Sequence, residues 1–219
     1  MKKSISGIFI CFALLSFSSP LFSEETVGKN TWTLKMRQKN ESIPQKSFEE
    51  EKGEVIGGKS GEEIKKFMLV EAKKLKNING AIVSTIRNGE VLKVSIPSSV
   101  IFPPNETTLL PNPELALGPI LTFMRQGLTT MLVTGHSDNT GSETYLQRIS
   151  QGRAQGVFEW YKTQGIPESN MKIYAFGASQ PLFTNDSMEN RAKNRRVTIY
   201  LIPNDEMVKK AKRKKLNKN

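Results

Sequence analysis

The amino-acid sequence predicts a two-layer α/β (α+β) domain in which a mixed sheet of about four strands carries helices on one face. Short β-rich runs alternate with longer stretches of helical periodicity between residues 81 and 204, and such alternation is typical of layered α/β folds. A hairpin signal at Asn88-Gly89 opens this region, and a helical stripe precedes it. The sequence therefore predicts a domain over 81–204 with an N-terminal hairpin and a helix added.

The added helix is predicted over residues 62–78. Its apolar residues recur at three- and four-residue spacing, which forms one stripe along a helix: Ile64, Phe67, Met68, Ala72, Leu75 and Ile78. This stripe can pack on the domain that follows, or it can serve a partner as a binding surface. The spacing leaves both alternatives open.

The elements of the domain follow in order. Two alternating runs, AIVSTI and VLKVSIP, flank the hairpin turn, and Pro103-Pro104 then interrupts the chain. Helical periodicity predicts helices over 113–126 and 143–164. The runs TMLVTG, MKIYAFG and VTIYLI predict the remaining strands, with a loop through Pro181 before the last one.

Residues 1–23 have the features of a signal peptide. Lys2 and Lys3 precede an uncharged apolar run, and the small residue Ser23 stands before an acidic segment. The only cysteine, Cys11, lies in the middle of that run without the small neighbours that lipid attachment requires. The run is also close to the ~20 residues of a membrane-spanning helix, so an uncleaved anchor is the alternative.

Residues 24–80 are predicted to form a polar arm or linker that ends in the helix over 62–78. We also expect that this segment could bind a protein partner. Trp32, Leu34 and Met36 form no sustained period. Residues 53–60, GEVIGGKS, satisfy the pattern of a phosphate-binding loop. No buried strand precedes them, so we interpret them as a Gly-rich hinge before a helix.

The formal net charge of +11 is concentrated at the ends of the chain. The signal segment and residues 208–219 carry basic residues without acids, whereas the remainder is nearly neutral. A basic groove for nucleic acid is therefore not expected. Residues 205–219 predict a basic disordered tail, and 208–219 could contact anionic lipid or lipopolysaccharide.

Four motifs follow one another on the predicted strands and helices. They are GHSDNTG at 135–141, ISQGRA at 149–154, GASQP at 177–181 and NRRV at 194–197. In this order and spacing, over about residues 81–203, they resemble the OmpA-like domain family. That family contains the peptidoglycan-associated modules of outer membrane protein A, Pal and MotB.

The resemblance implies a binding module and not an enzyme. Its implied ligand is the peptide stem of peptidoglycan, usually at meso-diaminopimelate, whose distal end carries an ammonium and a carboxylate. The resemblance assigns the ammonium to Asp138 and the carboxylate to Arg153, because a planar guanidinium suits a carboxylate. It also implies a second arginine, Arg195, and a polar residue after the first strand, Asn105.

Four more residues are expected to line the site: Thr134, His136, Asn139 and Thr140. The sequence departs from the family at Leu146, where the usual residue is Asn. This departure would remove one polar contact, worth about 0.5–1.5 kcal/mol, and would leave the acid–arginine pair in place.

No catalytic residue, metal site or cofactor is expected. His136 is the only histidine, and no third metal ligand is evident beside His136 and Asp138. Composition alone does not exclude a Ser-His-Asp triad, but a loop-packing role for His136 is simpler.

These observations together predict an exported protein of the bacterial periplasm or outer membrane that tethers the cell wall to the envelope. Two alternatives stay open. An uncleaved N-terminal helix would make the chain a MotB-like wall anchor. The arm or the tail would instead make it a surface adhesin for host macromolecules.

Overall fold

The computed structural model describes residues 52–214 and residue 216. The predicted signal peptide and residues 24–51 of the predicted arm lie outside these residues. The elements follow in this order: α1 (Gly58–Leu75), β1 (Ile82–Ile86), β2 (Val91–Pro97), α2 (Ser98–Ile101), α3 (Glu114–Met124), β3 (Thr129–His136), α4 (Glu143–Thr163), β4 (Met171–Ala175), α5 (Met188–Asn194), β5 (Arg196–Pro203) and α6 (Asp205–Lys212). A 3₁₀ turn, Glu168–Asn170, precedes β4.

One five-stranded mixed sheet organises the fold. Its strand order is β1-β2-β5-β3-β4, with β3 and β4 parallel and all other neighbours antiparallel. The predicted α/β class is confirmed. All five predicted strand runs lie in this one sheet, the hairpin included, where a sheet of about four strands with an added hairpin was expected. Strand β5 lies at the centre of the sheet, between β2 and β3, which places residues at its start beside the end of β3.

The hairpin β1–β2 turns through residues 87–90. Arg87 and Asn88 both have positive φ, and the amide of Gly89 donates to the carbonyl of Ile86 at 3.1 Å. A second bond, from Glu90 N–H to the Arg87 carbonyl, extends the turn. The predicted turn is therefore present: Asn88 and Gly89 both have positive φ, as the Asn-Gly pair indicates, and Arg87 before them does too.

The main core lies between the sheet and the helices. It takes alternate residues of the strands, such as Met131 and Val133 of β3, together with the apolar sides of α1, α3 and α4. Ile64, Met68 and Leu75 of α1 are almost completely buried there. The stripe predicted over 62–78 thus packs on the domain, and the helix begins at Gly58 and ends at Leu75.

The opposite face of the sheet, here called the second face, carries a smaller apolar cluster. Its buried members are Val91, Leu132, Tyr174, Phe176, Tyr200 and Ile202. All of them come from strands or from the residue next to β4, and within the described part of the chain no helix contributes to this cluster. The sheet is therefore apolar on both sides.

The Gly-rich segment before α1 holds a carboxylate of the protein itself. The amides of Ile56 and Gly57 donate to the two carboxylate oxygens of Glu90, at 2.6 and 2.8 Å. Glu90 is buried, and a Cβ on Gly61 would lie 2.3 Å from its Oε1. An acid at a helix N-terminus is favourable, so GEVIGGKS anchors α1 to the hairpin and its helix end is occupied.

The prediction of a disordered tail over 205–219 is wrong for its first half. Asp205–Lys212 form α6, with Asn204 as the N-cap that accepts from the Met207 amide at 3.0 Å. Met207 and Ala211 are buried, and α6 packs against α1. Their spacing of four places them on one face of a helix, and α1 supplies the apolar partner that a tail on its own would lack.

Two further helices were not expected from the sequence. The single turn α2 follows β2 directly and ends before Pro103-Pro104. Helix α5 begins at Met188, after the N-cap Ser187 whose hydroxyl accepts from the Asn190 amide, inside the segment predicted as a loop. Across residues 52–214 and 216, none of the helices is long and apolar enough to cross a membrane.

Candidate ligand-binding site

A cavity of about 310 Å³ opens where β3 ends and β5 begins. Its walls come from α2 and the loop after it, from the loop that follows β3, and from the first half of α4. The lining residues are Ser98, Ser99, Phe102, Pro103, Pro104, Asn105, Ser137, Asp138, Thr140, Tyr145, Leu146, Ile149, Arg153 and Arg195. Polar and charged residues are thus set among apolar ones.

Gly135 lets the end of β3 lie directly against α4. A Cβ at this position would lie 1.9 Å from the carbonyl oxygen of Ser150, so no other residue fits without a backbone shift. The Ser150 hydroxyl accepts from the amide of Gly177 at 3.0 Å, and Ser137 N–H donates to the Gly177 carbonyl at 2.8 Å. The motifs at 135–141 and 177–181 are therefore joined, and they fix the direction of the loop that carries Asp138.

Asp138 is held by its own loop and by an arginine. Its residue is 4% exposed. Oδ1 accepts from the Thr140 amide at 2.8 Å, and Oδ2 accepts from Nη1 of Arg195 in an ion pair. A carboxylate offers about four acceptor positions, so two of them remain for a donor in the cavity.

Arg153 contributes a buried cation from α4. It is 3% exposed, and its Nε donates to the carbonyl of Glu106 at 3.0 Å. The guanidinium lies over the ring of Phe102, 5.6 Å from the centroid. Burial lowers the pKa of Arg153 below its ordinary value, with Arg195 acting in the same direction. Among the described residues, its four terminal N–H groups have no hydrogen-bond partner, so they can bind an anion.

Two glycines on α4 let the loop after α2 cross the helix closely. A Cβ on Gly152 would lie 2.6 Å from Cγ2 of Thr107, and one on Gly156 would lie 2.9 Å from the Thr107 carbonyl oxygen. This close crossing brings the carbonyl of Glu106 to Arg153. The glycine in ISQGRA thus positions the arginine that follows it.

The NRR motif separates its two arginines onto different sides of the sheet. Asn194 is fully buried and bonds the segment 182–185, accepting from the amides of Leu182 and Phe183 and donating to the Phe183 carbonyl. Arg195 then reaches the cavity with its side chain 43% exposed. Arg196 is buried and donates to the carbonyls of Asn194 and Gln180.

Burial also affects the second arginine of the motif. Desolvation lowers the pKa of Arg196 to about 10, which still leaves it a cation at neutral pH. Because the two arginines are consecutive in an extended segment, they point in opposite directions. Only Arg195 belongs to the cavity.

The cavity joins one carboxylate and two guanidinium groups. Asp138 and Arg195 neutralise each other's charge, whereas Arg153 has no acidic side chain bonded to it within the described chain. The local charge is therefore positive by one. Such a set can hold a ligand that presents a carboxylate to Arg153 and a donor to Asp138.

Five of the eight residues predicted for the site line this cavity: Asn105, Asp138, Thr140, Arg153 and Arg195. Asn105 is exposed and has a left-handed φ of 59°. Asn139 lines a neighbouring cavity of about 590 Å³, which Leu146 separates from the first. Thr134 and His136 lie elsewhere.

Thr134 and His136 are buried on the second face of the sheet. The Thr134 hydroxyl donates to the Thr198 carbonyl at 3.1 Å and lies 2.9 Å from Nε2 of His136. That hydroxyl proton is already used, so Nε2 of His136 is the donor to it. Burial, with Arg196 and Lys93 nearby, holds the pKa of His136 well below 6.5. The ring stacks on Phe176 at 5.4 Å.

His136 therefore forms no catalytic triad among the described residues, because its Nε2 bonds a threonine. No group of three His, Cys, Asp or Glu residues that could hold a metal ion occurs within 52–214 and 216. The period of two in β3 could have indicated where Thr134 and His136 lie. They share the parity of Leu132, which also faces away from the helices.

Sequence reasoning missed the serine and aromatic walls of the cavity. Ser98 of α2 and Ser137 are buried at its edge, and Phe102 supports Arg153. Ser137 stands inside the GHSDNTG motif, which was a usable signal. Ser98 had none, because α2 is a single turn that the sequence does not predict.

Residues 101–195 match the OmpA family. This segment resembles OmpA family domains, as its motifs indicated. The match spans the chain from the end of α2 to the arginine that pairs with Asp138, so the cavity is built almost entirely from the matched residues.

Two curated relatives extend this finding. The chain is 33% identical over 134 residues to "Probable lipoprotein YiaD" of Escherichia coli K12, which covers 61% of each chain. It is 32% identical over 105 residues to "Outer-membrane lipoprotein YfiB" of Pseudomonas aeruginosa, covering 48% of this chain and 62% of the relative. The chain thus spans about three fifths of the length of these relatives.

A solved structure shares the fold. The cell wall anchor of the T6SS from Pseudomonas aeruginosa superposes with a TM-score of 0.53 and 25% sequence identity. The superposition covers 63% of this chain and 95% of that one. The two chains therefore share the fold over the superposed part.

Proposed function

We propose that the domain binds the peptide stem of peptidoglycan noncovalently and so anchors the cell envelope to the wall. The observation that carries the proposal is a cavity with a buried carboxylate and a buried guanidinium whose terminal N–H groups are available. The similarity to a cell wall anchor supports the same function. The protein is proposed to act by binding, without catalysis.

The proposed ligand group is the distal end of a diaminopimelate-type residue. Its carboxylate would lie on the terminal N–H groups of Arg153, which is held from behind by Glu106 and Phe102. Its ammonium would bind the acceptor positions of Asp138 that Thr140 and Arg195 do not use. A charged, hydrogen-bonded pair in a buried site gives both affinity and orientation.

Arg195 would have a supporting role. Its ion pair keeps the Asp138 carboxylate turned toward the cavity, and its half-exposed guanidinium can also contact the ligand carboxylate. Thr140 and Asn105 complete the polar rim. Leu146 supplies an apolar wall where the family usually has an amide, so the polar contacts here rest on the two charged partners.

The test is a pull-down of the chain with purified peptidoglycan sacculi. Asp138→Asn keeps the side-chain size, Arg153→Gln shortens the side chain, and each removes one charge. Each change leaves the opposite charge of the bound ligand without its partner and is expected to weaken binding by about 2–5 kcal/mol, which would leave little protein in the pellet. Arg125→Gln is the matched control, because Arg125 is exposed at the end of α3, outside the cavity.

Sacculi that differ in the chemistry of the stem peptide provide a second comparison in this experiment. Lysine-type sacculi present an ammonium without the distal carboxylate, so wild-type protein should bind them more weakly than diaminopimelate-type sacculi. Arg153→Gln should remove this preference. Binding that persists in both charge variants would rule out the proposed mode, and equal binding of both sacculi would rule out the diaminopimelate assignment.

An envelope location is consistent with the relatives, two of which are named as lipoproteins. The membrane attachment of this chain would be supplied by residues 1–23, as a cleaved signal or an uncleaved helix. A contact of residues 208–219 with anionic lipid or lipopolysaccharide stays a prediction. The cations of α6 would make that contact as one side of a helix and not as a disordered tail.

A further inference from the structure

We infer that the outer face of α1, the side turned away from the core, binds the surface of a membrane that contains anionic phospholipid. The outer face consists of the exposed residues Lys66, Leu69, Val70, Lys73 and Lys74. The inference goes beyond the contact predicted for residues 208–219, because it places apolar side chains of the folded domain in the bilayer interface. It does not depend on the ligand of the cavity.

Two consecutive apolar residues on the outer face are exposed to water. Leu69 is 45% exposed and Val70 is 51% exposed. In contrast, Ile64, Met68 and Leu75 on the other side of the helix are almost completely buried in the core. Packing on the domain therefore does not account for Leu69 and Val70. Transfer of both side chains from water into an apolar medium would be favourable.

Lysines stand on both sides of these two apolar residues. Neighbours on a helix surface are three or four positions apart, so Lys66 lies one turn before the apolar pair. Lys73 and Lys74 lie one turn after it. The stem of a lysine can lie along apolar surface while its ammonium reaches a polar layer. Cations beside an apolar patch are typical of a helix that lies in the bilayer interface.

Ion pairs within α1 leave its lysines able to bind phosphate groups. Lys66 is paired with Glu63, and Lys74 with Glu71, each at a spacing of three. The side chains of the two lysines are 65% and 64% exposed, so in water the outer face is solvated and both pairs contribute little to stability. An ammonium has three donors, and it can therefore contact a phosphate while it keeps its glutamate.

The neighbouring helix α6 adds to the positive charge. A groove between the two helices is lined by Lys59 and Lys66 of α1 and, across it, by Lys212 and Lys214; two glutamates of α1 also line it. Residues 58–76 hold six lysines and three glutamates, and residues 205–214 hold five basic and two acidic residues. Both helices therefore have a net positive charge, which attracts an anionic membrane within about a Debye length.

The composition of the outer face favours a lipid surface over a protein partner. Lysine is depleted at the centre of protein interfaces, whereas three of the five residues of this face are lysines. A polyanion without an apolar part would gain nothing from Leu69 and Val70. An anionic bilayer suits both kinds of residue, because its phosphates lie above its acyl chains.

The outer face and the cavity use different parts of the domain. None of the five residues of the outer face lines the cavity. Arg195 precedes β5 and α6 follows it, so the eight residues of this strand, about 26 Å in length, separate the arginine from the start of α6. Membrane contact and ligand binding therefore need not compete.

The experiment attaches a fluorescent probe to the outer face and measures its contact with a bilayer. In the full chain, Cys11→Ser with Leu69→Cys directs a thiol-reactive probe to position 69, because Cys11 is the only native cysteine. The vesicles hold equal parts of phosphatidylglycerol and phosphatidylcholine with brominated acyl chains, which quench a probe only inside the bilayer. We expect quenching several-fold stronger than with brominated phosphatidylcholine alone.

A probe introduced through Met188→Cys is the matched control, because Met188 is 80% exposed at the start of α5, on a different helix. Both kinds of vesicle should quench this probe weakly. Because each probe reports on its own position, attachment of the chain by another segment cannot produce the difference between them.

Charge variants complete the test. Lys66→Gln with Lys73→Gln should reduce the quenching at position 69 several-fold. Lys172→Gln, which removes an exposed lysine of β4, should leave it unchanged. Equal quenching at positions 69 and 188, or quenching that survives the double variant, would overturn the inference. A probe signal that changes with protein concentration without vesicles would assign the outer face to a second copy of the chain and would also overturn it.

Sacculus binding separates this inference from the proposed function. Lys66→Gln with Lys73→Gln should leave binding to sacculi intact, and Arg153→Gln should leave the quenching at position 69 unchanged. Each proposal can therefore fail while the other stands.

Discussion

Charged residues are used differently at the cavity and on the paired helices α1 and α6. At the cavity, Asp138 and Arg153 are almost completely buried and held by backbone groups. On the helices, most ion pairs join exposed or half-exposed residues three positions apart. These pairs are Lys65–Glu62, Lys66–Glu63 and Lys209–Glu206.

The difference separates a binding site from a solvated surface. Water and side-chain freedom cancel most of the gain from an exposed pair. A buried charge, in contrast, is stable only when other groups compensate it. Although most of the charges of this chain lie outside the cavity, the few that are buried and partly unsatisfied identify the place where a ligand can bind.

The largest effect is expected from a substitution that breaks the close backbone contact beside the cavity. Gly135→Ala places a methyl group against the Ser150 carbonyl, so β3 and α4 must separate. We expect a loss of about 3 kcal/mol in the free energy of unfolding, measured by urea denaturation. Sacculus binding should fall in parallel, because the Asp138 loop begins at this contact.

Gly118→Ala is the control for this change. Gly118 lies inside α3, and the nearest atom to an added Cβ is 4.0 Å away. Alanine should stabilise the helix by about 0.5–1 kcal/mol. If both substitutions changed the free energy of unfolding in the same direction, the close approach of Gly135 to α4 would not be what holds β3 and α4 together.

A smaller effect tests the buried polar groups of the sheet. The folded-state pKa of His136 is lowered by burial and by Arg196 and Lys93, so the unfolded chain binds its proton at a higher pH. The contribution of the neutral His136 to the free energy of unfolding is therefore fully present above about pH 6.5, and it decreases as the pH falls below that value. The slope cannot exceed about 1.4 kcal/mol per pH unit for one proton.

Unfolding measured between pH 7 and pH 5 checks this expectation, since carboxyl groups mostly titrate near pH 4. His136 is the only histidine of the chain, so His136→Gln should flatten the profile in this window. An unchanged slope in the variant would assign the pH dependence to other groups.

The smallest effect is expected on the helix pair. Lys209→Ala removes an exposed partner of Glu206 on α6 and should leave the thermal midpoint unchanged within error. Because the pair contributes little to stability, added salt should also leave the difference in thermal midpoint between variant and wild type near zero. A clear destabilisation would mean that exposed charges on α6 carry part of the fold, and the contrast with the cavity would then weaken.

The strands and the long helices could be predicted because their apolar periods are strong. Helix α4 was predicted over 143–164 and spans Glu143–Thr163. Asp138, Arg153 and Arg195 followed from motifs in order, although 15 residues separate the first two. Neither periodicity nor spacing shows that a loop crosses α4 at two glycines and brings the groups together.

What could not be predicted depends on contacts between distant segments. Helix α6 has two buried apolar residues in its eight, Met207 and Ala211. Its apolar side is covered only because it packs against α1. Helix α5 is polar, with Asn194 as its one buried residue. The placement of His136 was predictable from strand parity, but the motif that contains it drew attention to the loop instead.

The position of Arg195 has a mechanical consequence. It immediately precedes β5, which is paired over six residues with β2 and over eight with β3. A pull on a bound wall fragment that follows the strand axis would load both ladders in shear, so their hydrogen bonds would resist together and not one after another. A central strand directly behind this arginine would therefore suit the proposed wall anchor, which would have to hold under tension.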